Sequence, residues 1–296
     1  MLTGILLALA TGLVFMFIGI VFSYAGTKVN MLDVLFFQNL FLTMVFLAFA
    51  LPIVFSFSML MPILVMAIAG AVNVWAMLTM QKSMALGNSG VSWAIAQSAF
   101  VGPYLGSLLF LGEAPTLPRV AGVTLILGGM AMLGVFSKKS IDAQSNSGQG
   151  KYRWLMLAFL AFGLLVVAMY CVTASSYWSV KIDTALRSGS MTFGALLFVI
   201  GVKAAHQKYR FQLNRRAVIS ILGLTTLGLG AQSIIFFTVD ALSQAGAAGI
   251  GYPVINGSCI TLYFLYSTLV LKEKNSLGGK LAVASLVTGI LLLCFS

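Results

Sequence analysis

The sequence predicts an all-α integral membrane protein: ten transmembrane helices, arranged as two inverted five-helix repeats around a central cavity. Three observations lead there. Hydrophobic residues make up 60% of the 296 and charged residues only 8%, against roughly a quarter charged in soluble domains. The charges fall between long apolar runs. One polar stretch near the middle leaves five such spans on either side.

Taken in order, the first run (1–27) has no basic start and exceeds the short apolar core of a secretion signal, so it reads as a retained span. The run 34–81 is far longer than the about 20 residues one span needs, and it divides into two around Pro52–Pro62. Runs 83–112 and 120–137 supply the fourth and fifth spans. The second half repeats the count with 154–180, 188–202, 217–239, 241–271 and 281–296. Its two short runs reach span length if Arg187, Lys203 and Lys280 snorkel toward the headgroups. A β-barrel is excluded, because the runs are apolar throughout and do not alternate. The domains are therefore 1–137, a polar linker 138–153 within "SKKSIDAQSNSGQGKYR", and 154–296.

The net charge of +11 does not point to nucleic acid, since the basic residues lie in short connections and build no basic domain. Fourteen of the 17 fall in the connections after spans one, three, five, seven and nine; the other face holds only Arg119, Lys181 and Arg187. Basic loops stay in the cytoplasm, which places both chain ends outside an inner, or plasma, membrane. Cys171, Cys259 and Cys294 are odd in number, sit in or at the edge of apolar runs and show no metal spacing, so they read as packing residues. No cofactor or metal is expected.

Sliding one half along the other at an offset of 160, without gaps, sets "KSMALGNSGVSWAIAQSAFVGPYLGSLLFLGE" over "LSQAGAAGIGYPVINGSCITLYFLYSTLVLKE". Ser83, Ser98, Ser107 and Glu113 meet Ser243, Ser258, Ser267 and Glu273, and Gly129 falls over Gly289. Five spans per half is an odd number, so the two copies enter the bilayer in opposite directions. Inverted copies can exchange conformations and turn one site from face to face, the design of a carrier.

With ten spans in two halves, "LGE" (111–113) and "LKE" (271–273) closing each fourth span, and Gly-rich fifth spans, the chain resembles the drug/metabolite transporter superfamily over nearly its whole length. The resemblance implies a ten-span EamA-like or sugar-uptake-like member. It also implies a basket of helices with segments one, three, four, six, eight and nine around a cavity, and five and ten at the periphery. Ends lying outside resemble the superfamily's sugar-uptake branches more than its exporters. The expected cargo is a small neutral or zwitterionic polar metabolite (a sugar, amino acid or nucleoside) moved by alternating access. An exporter of amphipathic drugs or metabolites is the alternative, and a non-transporting scaffold a third reading. A lipid-modifying enzyme is not expected, for lack of paired carboxylates or a histidine cluster within the bilayer.

Polar side chains inside spans are costly and mark function by default. The candidates for substrate binding are Asn73 and Trp75 in the third span, Trp93 and Gln97 in the fourth, Gln232 in the eighth, and Tyr252, Asn256 and Tyr263 in the ninth. Asn88, Ser92 and Gln97 share a rough helical face. Asn256 and Gln97 lie within one residue of repeat-related positions, and Pro253 is expected to bend the ninth span beside them. The competing reading makes Asn256 a helix-to-helix bracket. Asp240, at the end of the eighth span, is the candidate for proton coupling; Glu113 and Glu273 read as caps. Gly102 and Gly106 suit a close helix contact inside the molecule. A repeat within one chain removes the need for a partner copy, so a monomer is expected.

Overall fold

The computed structural model describes residues 1–25, 29–53, 55–86, 89–136, 148–205, 211, 213–270 and 277–295. Among them the ordered elements are helices: α1 (Leu2–Ala25), α2 (Met31–Ala50), α3 (Leu60–Leu86), α4 (Ser89–Gln97), α5 (Val101–Phe110), α6 (Leu117–Phe136), α7 (Gly148–Ser175), α8 (Thr184–Ala205), α9 (Arg215–Ser243), α10 (Gly251–Leu269) and α11 (Leu277–Cys294). Eight are long and apolar enough to cross a membrane, namely α1, α2, α3, α7, α8, α9, α10 and α11; α4–α5 and α6 contribute shorter apolar stretches. The chain is thus a multi-pass α-helical membrane protein. Large apolar side chains such as Phe17, Phe49, Leu109 and Phe193 are exposed around its outside, as suits a lipid-facing surface.

Local chemistry sets the ends. The Asn30 side chain accepts the Leu32 N–H at 3.1 Å and the Asn214 side chain the Ala217 N–H at 2.8 Å, capping α2 and α9. Asp183 does the same for Ala185 at 2.7 Å where α8 begins. Gly112 (φ 72°) and Gly246 (φ 61°) adopt the left-handed conformation just beyond α5 and α9, a turn that a side chain would strain.

Three expectations are corrected here. The fourth span is not one helix: α4 ends at Gln97, a 3-10 turn covers Ser98–Phe100, and α5 follows. Pro103 supplies the reason, because it has no N–H to return to the carbonyl of residue 99. The ninth span starts later than its apolar run, so Tyr252 and Pro253 stand in the first turn of α10, where a proline costs no bond, and not at a mid-span bend. α7 likewise begins at Gly148, inside the stretch read as linker; residues 137–147 lie outside the described residues, as do Asn88, His206 and Glu273.

With no hydrophobic drive between helices in lipid, close backbone approach decides which helices meet. α6 and α11 cross through small residues. A Cβ on Gly122 would lie 2.8 Å from the Gly289 carbonyl oxygen, one on Gly129 2.7 Å from that of Ala282, and Ser285 Oγ donates to Leu125 O at 2.8 Å. α3 packs between α7 and α8, and α1 between α9 and α10. Gly102 and Gly106 of α5 receive Val166 and Tyr170 of α7, so the Gly-x-x-x-Gly pair makes an internal contact. One large apolar cluster binds α4, α5, α7 and α10, and a second joins α2, α8 and α9.

Candidate functional site

Two helix seams flank α8 and α9, and they differ. At the α3/α8 seam the backbones touch: a Cβ on Gly70 would overlap the Met191 carbonyl oxygen, and one on Gly194 would overlap that of Ala67. At the α2/α9 seam the approach is looser. A Cβ on Gly228 would find only side-chain ends, Leu42 Cδ1 at 3.2 Å and Gln38 Nε2 at 3.4 Å.

Charged groups join the helices at both ends of α8. Arg187, 5% exposed, donates through Nη1 to Asp240 Oδ1 at 2.9 Å and to Ser175 Oγ at 3.2 Å, and through Nη2 to Asp240 Oδ2. Its guanidinium also lies over the Phe236 ring at 4.8 Å. At the other end Lys203 Nζ meets Asp33 Oδ1 at 2.7 Å and sits 3.6 Å from the centroid of the Phe211 ring. The expected snorkelling of Arg187 and Lys203 is therefore corrected: both are drawn inward by a carboxylate, because a paired charge at a helix end costs less than an unpaired one. Asp240 is held by a two-pronged arginine. An open cavity of about 390 Å³ lies over this pair, lined by Lys181, Asp183, Thr184, Ser243 and Gln244 as well.

The Glu113 carboxylate is buried among donors. Ser107 Oγ gives it a bond at 3.1 Å, the Tyr177 hydroxyl one at 2.6 Å and the Gly249 N–H one at 3.0 Å. It therefore caps the 3-10 turn leading into α10 and not the helix that follows it in sequence, a placement the left-handed turn at Gly112 allows. Arg119 Nη1 donates to Gly246 O at 3.1 Å beside it. Burial and the bond to Glu113 push the Tyr177 hydroxyl well above its ordinary pKa.

The remaining candidates divide. Asn256 is fully buried and its Nδ2 donates to Gln97 O at 2.9 Å, where α4 breaks; Oδ1 has no partner. That is a bracket between α10 and the fourth span. Tyr252 is 4% exposed, in the core. Trp93 and Tyr263 converge over Gly19 of α1, each within 4 Å of where a Cβ would stand. Asn73 is half-buried, and Trp75 is exposed and stacked on Phe198 with centroids 6.1 Å apart. Gln232 is half-buried on α9, with an Oε1 that finds no hydrogen-bond partner among the described residues. The structure so brings Gln97 to Asn256, and Trp93 to Tyr263, without uniting all eight. Sequence reading missed Gln38, although an amide in "FFQNLF" carries the same signal as Gln232. It also missed Arg187, whose partner 53 residues away no local pattern reveals.

No family model matches the chain, and no curated protein matches it. Twenty-six chains of solved structures do, so the fold recurs. One of them, described only as "Crystal structure of protein", superposes with a TM-score of 0.71 over 98% of this chain and 97% of that one at 17% identity. A likeness at that identity shows the fold and nothing of the activity.

Proposed function

We propose that the chain is a ten-span secondary carrier of the drug/metabolite transporter kind, built as two inverted five-helix repeats, and that it moves a small neutral or zwitterionic polar solute by alternating access. Support for the repeat comes from α6 and α11. Adding 160 to Gly122 and subtracting it from Gly289 turns the Gly122–Gly289 contact into the Ala282–Gly129 contact, and both exist. Ser285 bonds Leu125, its own repeat position.

The observation that carries the functional reading is the inequality of the seams. Repeat symmetry exchanges α3 with α9 and α8 with α2. Gly70 is pressed against a backbone carbonyl of α8, whereas Gly228 of α9 meets only the side-chain ends of Leu42 and Gln38. Two equivalent seams, one shut and one slack, are what a carrier caught at one end of its cycle would have. With the basic connections in the cytoplasm, the shut seam faces outward and the slack one inward. The carrier works as a monomer in the inner membrane with both ends outside.

The test is uptake into proteoliposomes of labelled sugars, amino acids and nucleosides by the parent and by Gly228→Val. The added side chain meets only the movable ends of Leu42 and Gln38 now and blocks the seam from closing further. The variant should fold normally and lose uptake. Parent-like uptake by the variant would contradict the exchange of seams.

A further inference from the structure

We infer that the α2/α9 seam is a binding site for a neutral polyhydroxylic solute of the sugar or polyol class, held by Gln38, Thr225 and Gln232. This rests on the carrier reading and names the cargo. Ten buried side-chain atoms have no hydrogen-bond partner among the described residues, and five of them, on Gln38, Thr43, Ser220, Thr225 and Gln232, belong to α2 and α9. A concentration on two facing helices is not scatter.

The threonines sharpen the point. Hydroxyls in lipid-embedded helices ordinarily turn back onto their own helix, as Thr11, Thr79, Thr124, Thr173, Thr192, Thr238, Thr261 and Thr288 do here. Thr225 does not, and its oxygen is left bare. The three side chains converge because Gln38 meets α9 at Gly228, and Thr225 and Gln232 stand three residues before and four after that glycine, on the same helical face. All three are half-buried. At the repeat-related positions of α3 stand Val65, Ile68 and Val72, all apolar, so helix geometry alone does not call for polar groups there.

The ligand chemistry follows from the donors. Two carboxamides and a hydroxyl offer acceptors and neutral donors, and a carboxamide presents C=O and NH₂ side by side, matching a vicinal diol. The charged groups of the two helices lie at their ends: Asp33 with Lys203, Arg215 and Arg216, and Asp240 with Arg187. An ionised cargo would find no counter-charge at the seam and would lose its hydration there.

The experiment is a thermal-shift titration of the detergent-purified full chain with hexoses, hexitols, zwitterionic amino acids and nucleosides, run on the parent and on Gln38→Met, Thr225→Val and Gln232→Met, with uptake of the same solutes in proteoliposomes. A sugar or polyol should stabilise the parent, and each variant should need about tenfold more of it for the same shift, one hydrogen bond's worth. Ligand-free variants should melt at or above the parent, since each loses an unsatisfied polar atom, whereas a helix bracket would melt lower. Sugar binding unchanged in all three variants, or a response confined to amino acids or nucleosides, overturns this site and leaves the carrier standing. If no solute binds or is taken up, the carrier reading falls with it.

Discussion

The α3/α8 and α2/α9 seams are both helix pairs within one bundle and yet solve opposite problems. The first is dry and tight, with Gly70 and Gly194 letting two backbones touch. The second is looser, with Gly228 meeting only the side-chain ends of Leu42 and Gln38, and it holds bare polar oxygens. The contrast teaches that a glycine's role depends on its partner: against a backbone carbonyl it permits contact, and against movable side chains it leaves slack.

The largest effect expected is at the shut seam. Gly70→Val should cost about 3 kcal/mol, at the upper end for overpacking, because the obstruction is the Met191 carbonyl and not a side chain that can swing aside. Gly228→Val, which meets only the movable side-chain ends of Leu42 and Gln38, should cost about 1 kcal/mol. Thermal denaturation in one detergent compares the two, and equal losses would erase the distinction between the seams.

Next comes the ion pair between the start of α8 and the end of α9. Asp240→Asn leaves a buried guanidinium short of its counter-charge. Removing one partner of a fully buried pair costs about 3 to 5 kcal/mol; the Asp240 side chain is 34% exposed, so about 2 kcal/mol is expected here. Arg187→Met with Asp240→Leu together should recover most of that loss. Failure to recover would mean that the pair does more than hold α8 to α9.

Smaller again is Asn256→Ala, with about 1 to 2 kcal/mol expected from the lost bond to Gln97 O. A destabilised Asn256→Ala beside an undiminished Gln232→Met would separate brackets from binding groups. The smallest effect is pH-linked. The folded state raises the Tyr177 pKa above the ordinary phenol value of 10.0, so the bond to Glu113 contributes fully below about pH 10 and is lost as pH climbs beyond it. Tyr177→Phe should cost about 1 kcal/mol at neutral pH and should flatten the alkaline decline seen in the parent's melting temperature.

Much of this was legible in the sequence because lipid imposes long apolar runs, and charges mark their ends. The meeting of α6 with α11 has a counterpart in the sequence, where Gly129 falls over Gly289. Legibility failed where a choice depends on distant partners. Nothing in "YPVIN" distinguishes a cavity-lining Asn256 from one that brackets Gln97, since both roles need a buried amide. The break after Gln97 follows from Pro103, a local cue, but the placement of Pro253 in a first turn depends on where α10 begins. Arg187 and Lys203 looked like headgroup-seeking ends until Asp240 and Asp33 stood beside them.

The most direct measurement of the central claim is the accessibility of Gly228→Cys to a membrane-impermeant maleimide, added to either side of sealed vesicles, in a chain whose Cys171, Cys259 and Cys294 are replaced by alanine. Its side chain faces Leu42 and Gln38 across the α2/α9 seam, and for this thiol the account predicts labelling from the cytoplasmic side without solute and protection during transport, when the seam shuts. A thiol that never reacts, or that reacts equally whether or not the carrier turns over, would contradict the exchange of the two seams.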